Sequence, residues 1–232
     1  GFTANSVTAN GTNPTVSLTA TTGNLTVGTV SAGATGTVNL TATAGSLMMA
    51  GSGAVTAGTL NLTSLNAIGS TAQAFTVASG ALSANVTGTG GIYLATSPAV
   101  TLGNLTTANG DVVVTGPGTG TLVANGGITA GGNSAITLTN NGGAIAVSGS
   151  MTGASLTAQA GTISVGAMNT TGAQIYTGNT TFTGDVTASA VTVTGNLTLA
   201  GGNRTVNTSG SNGAIGVTGT LADPTVSVIN RH

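Results

Sequence analysis

A short string keeps returning along this chain. Thr-Val-Asn-Leu-Thr begins at Thr37 and Thr-Leu-Asn-Leu-Thr at Thr59, while Gly-Asn-Leu-Thr occurs at Gly23, Gly103 and Gly195. The N-x-T asparagines Asn39, Asn61, Asn85 and Asn104 are 22, 24 and 19 residues apart. From Asn104 to Asn196 is 92 residues, about four further steps of roughly 23. A loose period of about 20–24 residues is the length of one unit of a stacked repeat, in which each unit buries its apolar face only against its neighbours.

Within each period the residues alternate apolar and polar. Val38, Leu40 and Ala42 are separated by Asn39 and Thr41, and Leu60 and Leu62 by Asn61. The pattern recurs at Val112/Val114, Ile136/Leu138, Ile145/Val147, Ile163/Val165, Val191/Val193, Leu197/Leu199 and Ile215/Val217. Alternation at period two puts aliphatic side chains on one face of a strand and Thr, Asn and Ser on the other. Glycine, Asn-Gly and Gly-Gly bound the runs, which is turn chemistry. No stretch carries a helical period. Three short strands with tight turns fill one period, so the expected fold is all-β: a parallel β-helix, or β-solenoid, of roughly ten coils. At about 4.8 Å per coil it would be on the order of 50 Å long.

Composition narrows the choice further. Only 2% of the 232 residues are aromatic, so a wide core cannot be filled, whereas a thin column of Val, Leu, Ile and Ala can. A β-sandwich also suits regular turn spacing but would use larger core residues. A disordered chain would be poor in β-branched residues, and this one is rich in them. The expectation is one solenoid domain over 1–232, with a weak cap or linker at 221–232, where the composition changes. The chain begins GFTANSV, without Met or a basic segment, and is expected to be a mature or excised piece of something, or a sequence without its leader.

Groups able to ionise are few. The acids are Asp111, Asp185 and Asp223, the bases Arg204, Arg231 and His232, and there is no cysteine. A net charge of −1 offers no footprint for nucleic acid or anionic lipid, and too little repulsion to keep copies apart. No apolar run is long enough to span a membrane. The aspartates would fall on different coils, too distant to act as an acid–base pair, and His232 lies at the terminus. The chain is therefore expected not to be an enzyme, and no residue is assigned a catalytic, cofactor-binding or metal-binding role. Gly-Gly occurs at Gly90, Gly126, Gly131, Gly142 and Gly201 without the Asp that a calcium β-roll places after it. Asp111 reads as a solvated turn carboxylate.

Three polar patterns remain. N-x-[ST] triplets begin at Asn10, Asn24, Asn39, Asn61, Asn85, Asn104, Asn169, Asn179, Asn196, Asn203 and Asn207. They are read as side-chain ladders between coils in preference to glycosylation acceptors. Thr-x-Thr pairs at Thr41, Thr137, Thr181 and Thr192 look scattered, which argues against the aligned ranks of an ice-binding face. Tyr93 and Tyr176 are candidates for exposed carbohydrate platforms.

The strings GTVNLTATAGSL, GTLNLTSLNAIGS, GASLTAQAGTISVGAMNTTGA and GNLTLAGG resemble repeats of large filamentous-haemagglutinin-like exoproteins and autotransporter adhesins of bacteria. The likeness spans roughly Gly23 to Gly219 and is one of style and period. It implies a right-handed parallel β-helix, export across an outer membrane, and a part in adhesion, biofilm or aggregation. Neither a secretion-domain signature nor a membrane-anchoring barrel is apparent, so the chain looks like shaft. The functional expectation is a non-enzymatic structural shaft of an extracellular bacterial filament, adhesin or matrix fibre. Its partners would be other copies end to end or further coils of a longer chain, and host or matrix glycans. The alternative is a binding module with a flat Thr/Asn face for glycan or ice.

Overall fold

The computed structural model describes residues 1–97 and 100–222, and the backbone of 227–229. It is a β-solenoid of about ten turns, all-β and without helix among the described residues. Its strands join one sheet, and every pairing among the described residues is parallel. Each coil therefore hands its backbone N–H and C=O groups to the coils before and after it.

The alternation seen in the sequence is the packing rule. In Thr37–Ala42 the side chains of Val38, Leu40 and Ala42 are buried and those of Thr37, Asn39 and Thr41 are partly exposed. Like stacks on like through the interior. One file runs Val16, Val38, Leu60, Leu82, Leu102. Another runs Leu25, Leu47, Ile68, Ile92, Val112, Ile136, Leu156. Truncating one central member, Leu60 to Ala, costs about 2–5 kcal/mol, because its neighbours above and below are held by their own strands. Phe75, Tyr176 and Phe182 are the large aromatic side chains within this column, while Phe2 on the first coil is 47% exposed.

The cross-section changes along the stack. In the early coils the longest unbroken pairing joins Thr15–Ala20, Thr37–Ala42 and the second half of Val55–Ser64, at a step of 22 residues. At Leu82 and Ala84 the register slips, since they pair with Leu102 and Leu105. Beyond that point this face is made of separate short strands, Thr121–Ala124 and Ile128–Ala130. The Gly-Asn at 103–104 turns the new corner, where Asn104 Oδ1 accepts the N–H of Gly127 at 2.9 Å. Gly149 stacks at the same corner, where a Cβ would lie 2.0 Å from the carbonyl oxygen of Gly126.

Coil length departs from the expected 20–24 residues. The step shortens to 17 where Met151 pairs with Met168 and Asn179 bonds Asn196. It reopens to 24 where Leu197 pairs with Leu221 and Thr220 bonds Asn196. The shortening is spread over the corners: five residues between Thr129 and Ala135 face two between Thr152 and Ser155, and three between Val147 and Met151 face two between Val165 and Met168. Asn140 and Ala144 pair with Ala160 and Thr162, so a turn of three residues faces a turn of one. In the next coil the corner is Gly178, with φ of 136° and a would-be Cβ 1.9 Å from the Ala160 carbonyl oxygen. Only glycine takes so tight a turn there.

The cap or linker expected over 221–232 falls largely outside the described residues. What is described, Leu221–Ala222 and Ser227–Ile229, pairs in parallel with Leu197–Leu199 and Thr205–Asn207 and so continues the coils.

Candidate functional site

Many of the side-chain hydrogen bonds run along the stack from one coil to the next. Asn61 Nδ2 donates to Asn39 Oδ1 at 2.9 Å, and Asn39 Nδ2 donates to Ser17 Oγ at 3.3 Å. This is the ladder expected for Asn39 and Asn61. Other triplet asparagines serve corners instead. Asn24 Oδ1 accepts the N–H of Ser46 at 2.9 Å, Asn179 Oδ1 that of Asn196 at 3.2 Å, and Asn196 Oδ1 that of Thr220 at 3.0 Å. Each satisfies a backbone donor where the chain turns out of its strand, as a cap does at a helix start.

Both described aspartates have the same employment. Asp111 Oδ1 accepts the N–H of Ala135 at 2.8 Å, and Asp185 Oδ1 that of Thr205 at 2.9 Å. They sit at different corners, before Val112–Thr115 and Val186–Thr187, separated by about three coils or ~14 Å of stack. The structure thus does not bring them together. Arg204 clasps its own turn, with Nε to the carbonyl of Ala200 and Nη2 to that of Gly201, both at 2.9 Å. Asp223, Arg231 and His232 lie outside the described residues. Among the described residues no three His, Cys, Asp or Glu side chains gather where a metal could bind.

Tyr176 is not a surface platform. It is fully buried, its hydroxyl donating to Gln174 Oε1 at 2.7 Å and its ring meeting Phe182 edge-on at 5.2 Å. Burial raises the phenol well above its ordinary pKa. Gln174 Nε2 donates to Thr170 Oγ1 at 3.1 Å and to the Thr187 carbonyl at 3.0 Å. Gln174 thus occupies a place in the file that Leu156 and Val191 hold in the neighbouring coils. Asn140 is a second buried polar plug. Its Oδ1 accepts from Gly118 N–H at 2.9 Å and its Nδ2 donates to the Ala144 carbonyl at 2.7 Å. Neither group stood out in the sequence, where each is one more amide in a polar-rich chain. Tyr93, by contrast, is partly exposed.

The surface carries an open groove of ≈ 610 Å³ along the shortened coils, where Gln159, Asn179 and Thr194 stand beside a floor of Gly161, Gly178 and Gly195. It holds neutral amides and hydroxyls, which can donate and accept hydrogen bonds but supply neither nucleophile activation nor charge.

The threonines prove better ordered than their spacing in sequence suggested. Thr137, Thr157 and Thr192 fall in one outward file with Ile175 among them, and Thr139, Thr177 and Thr194 in the next with Gln159. On the early coils the alignment is complete: Thr15, Thr37 and Thr59 form one file, and Thr19, Thr41 and Thr63 another. That register lies in the 22-residue step between coils and not in the Thr-x-Thr spacing within a strand. Comparison with family models, with curated proteins and with solved structures finds no match.

Proposed function

We propose that this chain is a structural shaft: a load-bearing, non-enzymatic stretch of β-solenoid in an extracellular bacterial filament, adhesin or matrix fibre. The observation that carries the reading is where the polar chemistry goes. The side chains of Asp111, Asp185, Asn24, Asn39, Asn61, Asn179 and Asn196 all bond from one coil to another. The described carboxylates and Arg204 are thus all engaged in holding coils and turns. A stack held by parallel ladders, an aliphatic column and corner caps resists extension along its axis, because each coil must be peeled from its neighbour.

Stacking also supplies the route to assembly. The first strand of a parallel stack offers the same N–H and C=O rows as any interior coil, so a further coil or a second copy can dock there by strand addition. Near-neutral charge supports association of this kind.

The test is mechanical. A single molecule held at its two ends is stretched, and its lengthening is followed. A shaft yields in steps of one or a few coils, each releasing about 75 Å of chain for a 22-residue coil at up to about 3.4 Å per residue. Full extension at forces no greater than those that straighten an unfolded chain would sink the reading.

A further inference from the structure

Nine outward side chains on three consecutive coils form an in-register array. Thr15, Ser17 and Thr19 lie under Thr37, Asn39 and Thr41, which lie under Thr59, Asn61 and Thr63, with no bulge between them. The Ser17–Asn39–Asn61 file is tied by its own hydrogen bonds, which fixes the spacing of the face. Side-chain ladders of this sort also favour flat sheets over twisted ones. The flanking files are all threonine, so each point carries one hydroxyl and one methyl.

The array has two repeats, about 4.8 Å from coil to coil and about 6.7 Å from one outward residue to the next along a strand. Two unequal repeats close to these separate water oxygens on a prism face of hexagonal ice. None of the nine side chains is charged. That matters because an ion holds its water in a tight radial shell that fits no lattice, whereas a hydroxyl can take a lattice water's place and a methyl sits in the gap beside it. Each such contact is weak. Nine of them on a sheet that is already rigid add with little ordering cost.

We propose that the Thr–(Ser/Asn)–Thr face of the strands Thr15–Ala20, Thr37–Ala42 and Val55–Ser64 binds ordered water and adsorbs to ice. The inference is independent of the shaft reading, since a face of this kind works on a filament or on a single copy. The array ends at the next coil, where Ala81, Ser83 and Asn85 take over the outward places. The second face, with Ile175 and Gln159 in its files, is the natural control.

The experiment measures the freezing-point gap and crystal habit of the purified chain in a nanolitre osmometer, with partition into a slowly grown ice shell as a second readout. The intact chain should facet the crystal and concentrate in the ice. Thr41→Tyr, which props the lattice off the central coil, should cut the gap roughly tenfold, the effect of about 1.4 kcal/mol of lost contact. Thr41→Ser, which keeps the hydroxyl and cannot threaten the fold, should lower it less, and Thr157→Tyr on the control face should leave it unchanged. Circular dichroism confirms the fold of each variant. A folded parent chain that neither shapes crystals nor enters ice overturns the proposal, as does a Thr41→Tyr variant with full activity. Retention of the parent chain on insoluble polysaccharide with no effect on ice overturns it too, and reassigns the face to glycan.

Discussion

Asn61 reaches across one coil to bond Asn39 at 2.9 Å, and Asn39 reaches across the next to bond Ser17 at 3.3 Å. Asn39 thus has a partner on each side and Asn61 on one. Replacing Asn39 by Ala removes two bonds and Asn61→Ala one. At a net worth of about 0.5–1.5 kcal/mol each, Asn39→Ala should be roughly twice as destabilising. Urea melts of the two variants measure the ratio. Equal losses would show that the ladder contributes little and that the strands alone set the spacing.

The buried pair of Tyr176 and Gln174 should behave as a unit. Tyr176→Phe leaves Oε1 of Gln174 without a donor and costs about 1–3 kcal/mol. Gln174→Leu strands the Tyr176 hydroxyl in the same way. The double variant restores an apolar file like those at Leu156 and Val191, so its loss should fall short of the sum by about 0.5–3 kcal/mol. A denaturant-based double-mutant cycle reads the coupling directly.

The same tyrosine gives the fold an alkaline limit. Burial raises its phenol above the ordinary 10.0, so the folded chain keeps a proton that the unfolded chain releases. The neutral phenol leaves stability untouched below about pH 9. Above pH 10 the unfolded state gains, and stability falls by up to about 1.4 kcal/mol per pH unit. Melts of the parent chain and of Tyr176→Phe from pH 8 to 12 test this; the variant should lack that contribution.

One substitution should stabilise. The hydroxyl of Ser64 is buried without a hydrogen-bond partner, in a file where the two preceding coils carry Ala20 and Ala42. Ser64→Ala removes the desolvated group and repeats the neighbours' side chain, raising stability by about 1 kcal/mol. A lowered melting midpoint would mean that the hydroxyl has a partner in solution.

The aspartates should matter as acceptors and not as charges. Asp111→Asn keeps an oxygen for the N–H of Ala135, and Asp111→Ala does not. The first should be nearly silent and the second should cost about 0.5–2 kcal/mol, the worth of a cap. The same contrast is expected at Asp185, which bonds Thr205.

The architecture was legible because its two periods are written in residue type. Val38, Leu40 and Ala42 alternate, and the motif returns at Leu60 and Leu62 after one coil. What escaped the sequence depends on register summed over many turns. The 17-residue coils arise from small losses at successive corners, after Thr129, Asn140 and Val147, and one turn residue more or less in a chain with 40 glycines carries no flag. Thr137, Thr157 and Thr192 lie 20 and 35 residues apart, and they align only because the coils between them shorten. Tyr176 and Gln174 alternate like surface and core residues anywhere else in the chain. Their inward direction follows from the file they inherit from Ala158 and Leu156.

The shaft reading stands or falls on the native material. Electron microscopy of the protein as its source cell displays it should show filaments, or a longer chain in which these coils form one stretch of a rod. Dispersed compact monomers, with neither filament nor longer parent chain, would contradict it.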